Sequence, residues 1–120
     1  MVARRNGDRF DLDPASTDIM KNVNTPALEY APDISTNGLE LYFTRASIPA
    51  GLRIMMTSRN STDKPFGKPC VLSAARGFVE APSISLDGKE LFFHKKVNDT
   101  FVIFRAERNP EMQHINCNAE

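Results

Sequence analysis

The chain has 120 residues, enough for one small domain, and 41 % of them are apolar, too many for a disordered segment. Fifteen basic and fifteen acidic residues cancel, and the halves are separately neutral, seven against seven and then eight against eight, so no charge excess marks a nucleic-acid or anionic-membrane surface. No apolar run approaches the roughly 18–20 residues that a membrane-spanning helix needs.

The first residues, Met1-Val2-Ala3-Arg4-Arg5, carry the positive flank of a signal peptide, but polar Asn6-Gly7-Asp8-Arg9 stands where the apolar stretch belongs. No export signal is expected, which leaves the cytoplasm as the default compartment. Residues 1–23 read as a solvated polar leader without a convincing strand. Phe10 and Leu12 either form the outer strand of a preceding unit or pin the leader to the domain. Asp8, Asp11 and Asp13 lack the spacing, mid-loop glycine and closing glutamate of an EF-hand, so no calcium site is expected.

From Ala31 the chain states a phrase that it repeats fifty residues later. Ala31-Pro32-Asp33-Ile34-Ser35-Thr36-Asn37-Gly38-Leu39-Glu40-Leu41-Tyr42-Phe43 returns as Ala81-Pro82-Ser83-Ile84-Ser85-Leu86-Asp87-Gly88-Lys89-Glu90-Leu91-Phe92-Phe93, with eight of thirteen positions identical. A repeat at this period signals units that stack on one another. It divides the chain into residues 24–73 and 74–120. Pro32 and Pro82 open short extended stretches, where a missing donor is tolerable. Asn37-Gly38 and Asp87-Gly88 are turn signals, and both glycines are expected at positive φ.

The following strands are expected over 40–45 and 90–95, then over 53–60 and 102–109, with one residue lost from the second loop. A fourth strand is expected over 68–73, with a weaker counterpart at 113–118. No segment sustains a helical period. Leu41-Tyr42-Phe43, Ile54-Met55-Met56, Leu91-Phe92-Phe93 and Phe101-Val102-Ile103-Phe104 are continuous apolar runs, which predicts strands covered on both faces. Ile34, Gly38, Leu41 and Phe43, with Ile84, Gly88, Leu91 and Phe93, are the expected structural positions of the repeat, and Phe43 and Phe93 should fill equivalent core sites.

The two copies of Ile34–Phe43 and Ile84–Phe93 resemble the core of the WD40-like, TolB-type (PD40) β-propeller repeat. Residues 57–72 are similar to the outer part of such a unit, with Phe66 where tryptophan is usual. The resemblance covers about residues 24–109 and departs from the pattern at Thr36 and Leu86, where proline is usual. It implies an all-β chain of antiparallel four-stranded blade-like sheets, about two of them, forming a partial or oligomer-completed β-propeller. It also implies a non-catalytic module for protein interaction or scaffolding. The alternatives are a small-ligand or carbohydrate-binding module and an accessory propeller part of a larger hydrolase. Two blades are too few to close a ring. The chain is therefore part of a longer propeller, closes by association, or caps its open faces with flanking residues such as 1–24.

Candidate chemistry is sparse. His94 ends a strand, and His114 precedes Cys117 by three residues, short of a zinc ligand set. Cys70 and Cys117 could pair if folding brings them together, but two free thiols are the default reading, and neither has a nucleophile context. Glu40 and Glu90 recur after the turn glycines, which favours a structural role over paired glycosidase carboxylates. Lys95, Lys96, Arg105 and Arg108 lie near Phe92, Phe101 and Phe104, but neighbouring acidic residues dilute their charge and no nucleic acid is expected. The expectation is therefore no catalysis, no metal, no cofactor and no membrane insertion. Association with a protein partner or with itself, through exposed sheet faces, is what remains.

Overall fold

The computed structural model describes residues 1–110. Two strands, β1 (Ala3–Asn6) and β2 (Arg9–Leu12), form an antiparallel hairpin, followed by one helical turn, α1 (Ser16–Ile19). A four-stranded antiparallel sheet runs in the order β3 (Leu28–Ile34), β4 (Glu40–Ser47), β5 (Gly51–Ser58) and β6 (Cys70–Val71). A three-stranded sheet then repeats the arrangement as β7 (Val79–Ile84), β8 (Glu90–Val97) and β9 (Thr100–Glu107).

The repeated phrase builds the same device twice. Ser35 N–H bonds Glu40 O and Gly38 N–H bonds Ser35 O, both across the β3–β4 turn, and Ser85, Glu90 and Gly88 make the same bonds in the second unit. The Asn37 side-chain oxygen accepts from the Ser35 hydroxyl and from Leu39 N–H, and Asp87 does so from Ser85 and Lys89. These side chains satisfy turn donors that would otherwise compete for water. Gly38 and Gly88 sit at φ +73° and +71°. Before each turn the first strand slips register at Ala31-Pro32 and at Ala81-Pro82, with the alanines at φ +50° and +55°. A bulge placed there turns the strand and accommodates a proline with no N–H to give.

The core is two layers of side chains. Tyr42, Ile54 and Met56 on one face of the first sheet pack against Val79, Leu91 and Phe93 of the second. Leu41, Phe43 and Met55 on the other face pack against Phe66, Ile19 and Val23. Burying each large side chain contributes about 1.5–3 kcal/mol, against at most about 1 kcal/mol for an exposed ion pair, so these layers set the arrangement. Phe43 and Phe93 thus lie on equivalent faces, Phe43 under the N-terminal segment and Phe93 under the first sheet. Hydrogen bonds hold the N-terminal segment in place: Phe66 N–H to Ile19 O at 3.1 Å, Asn22 Nδ2 to Phe66 O at 2.7 Å, and Arg45 Nη2 to Val23 O at 2.9 Å.

Several expectations are corrected. Residues 1–23 hold a hairpin, whose strands the sequence hid because all eight of their residues are polar or exposed. The two-residue Gly7-Asp8 turn, with Gly7 at φ +66°, was the available signal. Phe10 and Leu12 are exposed and do not pin the segment.

The β-propeller is the larger correction. The all-β content holds, but the sheets of two, four and three strands are neither closed nor curled into propeller blades. The physical reason lies in the edges and faces. A turn phrase specifies one hairpin, whereas closure requires each sheet to be covered by a further one. Here the N-terminal segment covers one outer face of the first sheet, and no strand among the described residues covers the far side of the second. The expectation that the apolar runs are covered on both faces holds for β4 and fails for β9, where only Ala106 is even half-buried. The expected fourth strand at 113–118, with His114 and Cys117, lies outside the described residues.

Candidate interaction surface

The second sheet has two unlike faces. Cross-strand partners share a face, so Leu91 and Phe93 stand with Ala106 and Phe104 toward the first sheet, while Phe92, His94 and Lys96 stand with Arg105, Ile103 and Phe101 on the opposite side. On that open side Phe101 is 50 % exposed, Ile103 62 % and Phe92 38 %. Phe78 continues the strip, its ring edge-on to Phe101 with centroids 6.0 Å apart, and His94 lies 6.4 Å from Phe101. The strip is apolar at its centre and charged at its ends, with Lys96 facing Asp99 at the hairpin and Arg105 bonded to Glu90 and Glu107 at the other end.

The backbone of β9 is as notable as its side chains. Among the described residues β9 is hydrogen-bonded on one side only, to β8. Lys96 gives its N–H to Phe78 O on the opposite side of β8. In an antiparallel ladder alternate residues bond to opposite neighbours. Lys96, His94 and Phe92 therefore point toward β7, and their cross-strand partners Phe101, Ile103 and Arg105 point their N–H and C=O groups to the outer side of β9, where no described strand lies. Val102 and Phe104 bond inward to β8. The matching strand of the first sheet differs: β5 carries β6 on its outer side, with Met55 opposite Val71 and Met56 opposite Cys70.

A second feature joins the two sheets. Arg108, just past β9, donates from Nη1 to Glu40 Oε1 at 2.9 Å and from Nη2 to Glu40 Oε2 at 2.6 Å, and reaches the Tyr42 hydroxyl at 2.8 Å. The Glu40 bonds raise the Arg108 pKa above its ordinary value, and burial followed by the Glu40 charge pushes up that of the Tyr42 hydroxyl. Beside this cluster a groove of about 260 Å³ separates the sheets, lined by Met56, Cys70, Leu72, Ile84, Ala106 and Asn109 among others. Tyr30, hydrogen-bonded to Glu80, is raised to about 12, first by burial and then by that carboxylate.

The sequence-predicted positions fall as follows. Leu41, Phe43, Leu91 and Phe93 are buried, Ile84 is half-buried and Ile34 is exposed. Glu40 is bonded by Arg108 and Glu90 by Arg105. Cys70 is disulfide-bonded, which corrects the free-thiol expectation at that position. Among the described residues no three His, Cys, Asp or Glu side chains converge on a metal position. No helix among the described residues is long and apolar enough to cross a membrane. The β9 edge escaped sequence reading because Phe101-Val102-Ile103-Phe104 looks like a core run. The signal against that was its polar company, Thr100, Arg105 and Glu107.

Comparison with protein-family models, with curated proteins and with solved structures finds no match to this chain. The resemblance to the propeller repeat thus reaches no further than the turn phrase, and the interaction scaffold it implied has no propeller to rest on.

Proposed function

We propose that the protein works by taking up an additional antiparallel strand from another polypeptide along β9. The observation that carries this reading is the contrast between equivalent strands: β5 is bordered by β6, whereas β9 has no described strand on its outer side. Strand addition at such an edge takes its affinity from main-chain hydrogen bonds and its selectivity from alternate side chains. Phe101, Ile103 and Arg105 supply the bonds. The strip of Phe78, Phe92, Phe101 and Ile103 selects a strand with apolar residues at every second position. An edge strand of this length, left unpaired, is a liability that globular proteins blunt with charge, proline or a covering segment. No reaction is assigned to the chain in this reading.

The test is residue-resolved amide exchange by NMR, with and without an extended peptide of the sequence of residues 100–107. The free chain at low concentration should protect Val102 and Phe104 and expose Phe101, Ile103 and Arg105. Adding the peptide should bring protection to those three amides. Unchanged exchange there at saturating peptide would refute strand uptake at this edge.

A further inference from the structure

We propose that Cys70 is bonded to Cys117 and that this bond clasps residues 111–120 into the groove between the two sheets. The clasp is a redox-dependent fastening of the seam, separate from the strand-accepting reading of β9. Three observations carry it.

First, the cysteine count leaves one partner. Cys70 is disulfide-bonded, and the chain has two cysteines, of which Cys117 is the other. The bond forms when both thiols give up their protons and, together, two electrons to an external disulfide, which becomes two thiols.

Second, the two anchors of the segment stand at one place. Cys70 in β6 and Leu72 just after it line the groove from the first sheet, and Arg108 and Asn109, just past β9, line it from the second. The chain runs on through Pro110 from that second wall. Cys117 follows Pro110 by seven residue steps, which span up to about 23 Å when extended. A groove lined by both anchors lies within that reach.

Third, the groove suits side chains of this segment better than a separate ligand. At about 260 Å³ it falls below the roughly 300–1,000 Å³ of small-molecule sites. Its walls include Leu72, Ile84 and Ala106, apolar residues that pack on the core and are only half-buried. Between Pro110 and Cys117 the sequence places Met112 and Ile115, apolar side chains of matching chemistry among polar neighbours. Covering this end of the seam also shelters the Arg108–Glu40–Tyr42 cluster, which joins the sheets beside the same groove. Excluding water there strengthens its charged hydrogen bonds.

The test uses the full chain, purified without reductant and treated with an alkylating reagent under denaturing conditions before digestion. Mass spectrometry should find neither cysteine alkylated and one peptide pair joining Cys70 to Cys117. Methyl NMR of the oxidised chain should show contacts from Met112 or Ile115 to Leu72, Ile84 or Ala106. Dithiothreitol should abolish those contacts, and Cys117→Ser should reproduce the reduced spectrum. If Cys117→Ser fails to fold, Ile115→Asp should weaken the same contacts while the Cys70–Cys117 peptide pair persists.

Three results would overturn the proposal: an alkylated Cys70, a bond between the Cys70 residues of two chains, or an oxidised chain whose Met112 and Ile115 touch none of the groove methyls. Reduction that changes amide protection at 101, 103 and 105 would place the segment along β9 instead, against both the groove assignment and strand uptake there. Failure of the clasp with those three amides exposed in the free chain would refute the clasp and leave strand uptake standing.

Discussion

Replacing Gly88 by alanine isolates the backbone geometry on which the repeat depends. Gly88 sits at φ +71° with nothing within 4 Å of an added Cβ, so the substitution meets no steric obstacle from other residues. Its cost is the left-handed backbone alone, which an L side chain disfavours by about 1–2 kcal/mol. Gly38 has the same conformation at +73°, but there an added Cβ meets Thr62 Cγ2 at 3.3 Å and Arg59 Nη2 at 3.8 Å. Thr62 is exposed and can give way. Gly38→Ala should therefore cost the same amount and slightly more. Urea denaturation should show both losses as lower midpoints at unchanged slope, and melting should fall by roughly 4–6 °C per kcal/mol. Asparagine tolerates this conformation, so Gly88→Asn should recover part of the loss. A loss under about 0.5 kcal/mol for Gly88→Ala, or a larger loss there than at Gly38, would refute the reasoning.

Three further outcomes are expected. Phe93→Ala should cost about 3–5 kcal/mol, because Phe93 fills the layer between the sheets, while Phe92→Ala on the open face should cost under about 1 kcal/mol; equal losses in denaturation would contradict the assignment of faces. Asp87 has its pKa lowered first by the Ser85 hydroxyl and then by Lys89 N–H, so its contribution is full above the ordinary value of 3.8 and is lost as pH falls through the lower folded value. Asn37 makes the same bonds in the first unit. Asp87→Asn should accordingly keep the turn and lose stability less steeply than wild type as pH falls below the ordinary value of 3.8, in acid titrations of the melting temperature. Arg108→Met leaves the part-buried Glu40 carboxylate without its two-pronged partner and should cost about 1–3 kcal/mol by denaturation, with a loss below about 0.5 kcal/mol counting against the cluster as a link between sheets.

What the sequence made legible was local. Asn37-Gly38 and Asp87-Gly88 specify their turns through side chains two residues away, so the turns joining β3 to β4 and β7 to β8 could be read directly, while the register slips at Ala31 and Ala81 could not. The same locality misled at the next level. Leu41-Tyr42-Phe43 and Leu91-Phe92-Phe93 look alike, yet Tyr42 is buried by the second sheet while Phe92 faces outward. Nothing within a strand states what will cover it. The Ala3–Asn6 strand was hidden for a related reason: with no face buried, it carries no alternation to detect. That β9 has no outer neighbour among the described residues is likewise something a hydrophobic run cannot encode.

The fifty-residue offset also sets an order of events in folding. Bonds between the units join residues far apart in the chain: Tyr30 to Glu80, Thr36 to Leu86, Asp33 to Ile84 and Arg108 to Glu40. Each hairpin, by contrast, closes over a few residues. Hairpins form in microseconds, whereas docking the units must first close a long loop, whose entropic cost is met before any contact between sheets repays it. The hairpins are therefore early and the seam between the sheets is late. Substitutions along the seam should speed unfolding and leave the folding rate nearly unchanged, while substitutions in the turns should slow folding.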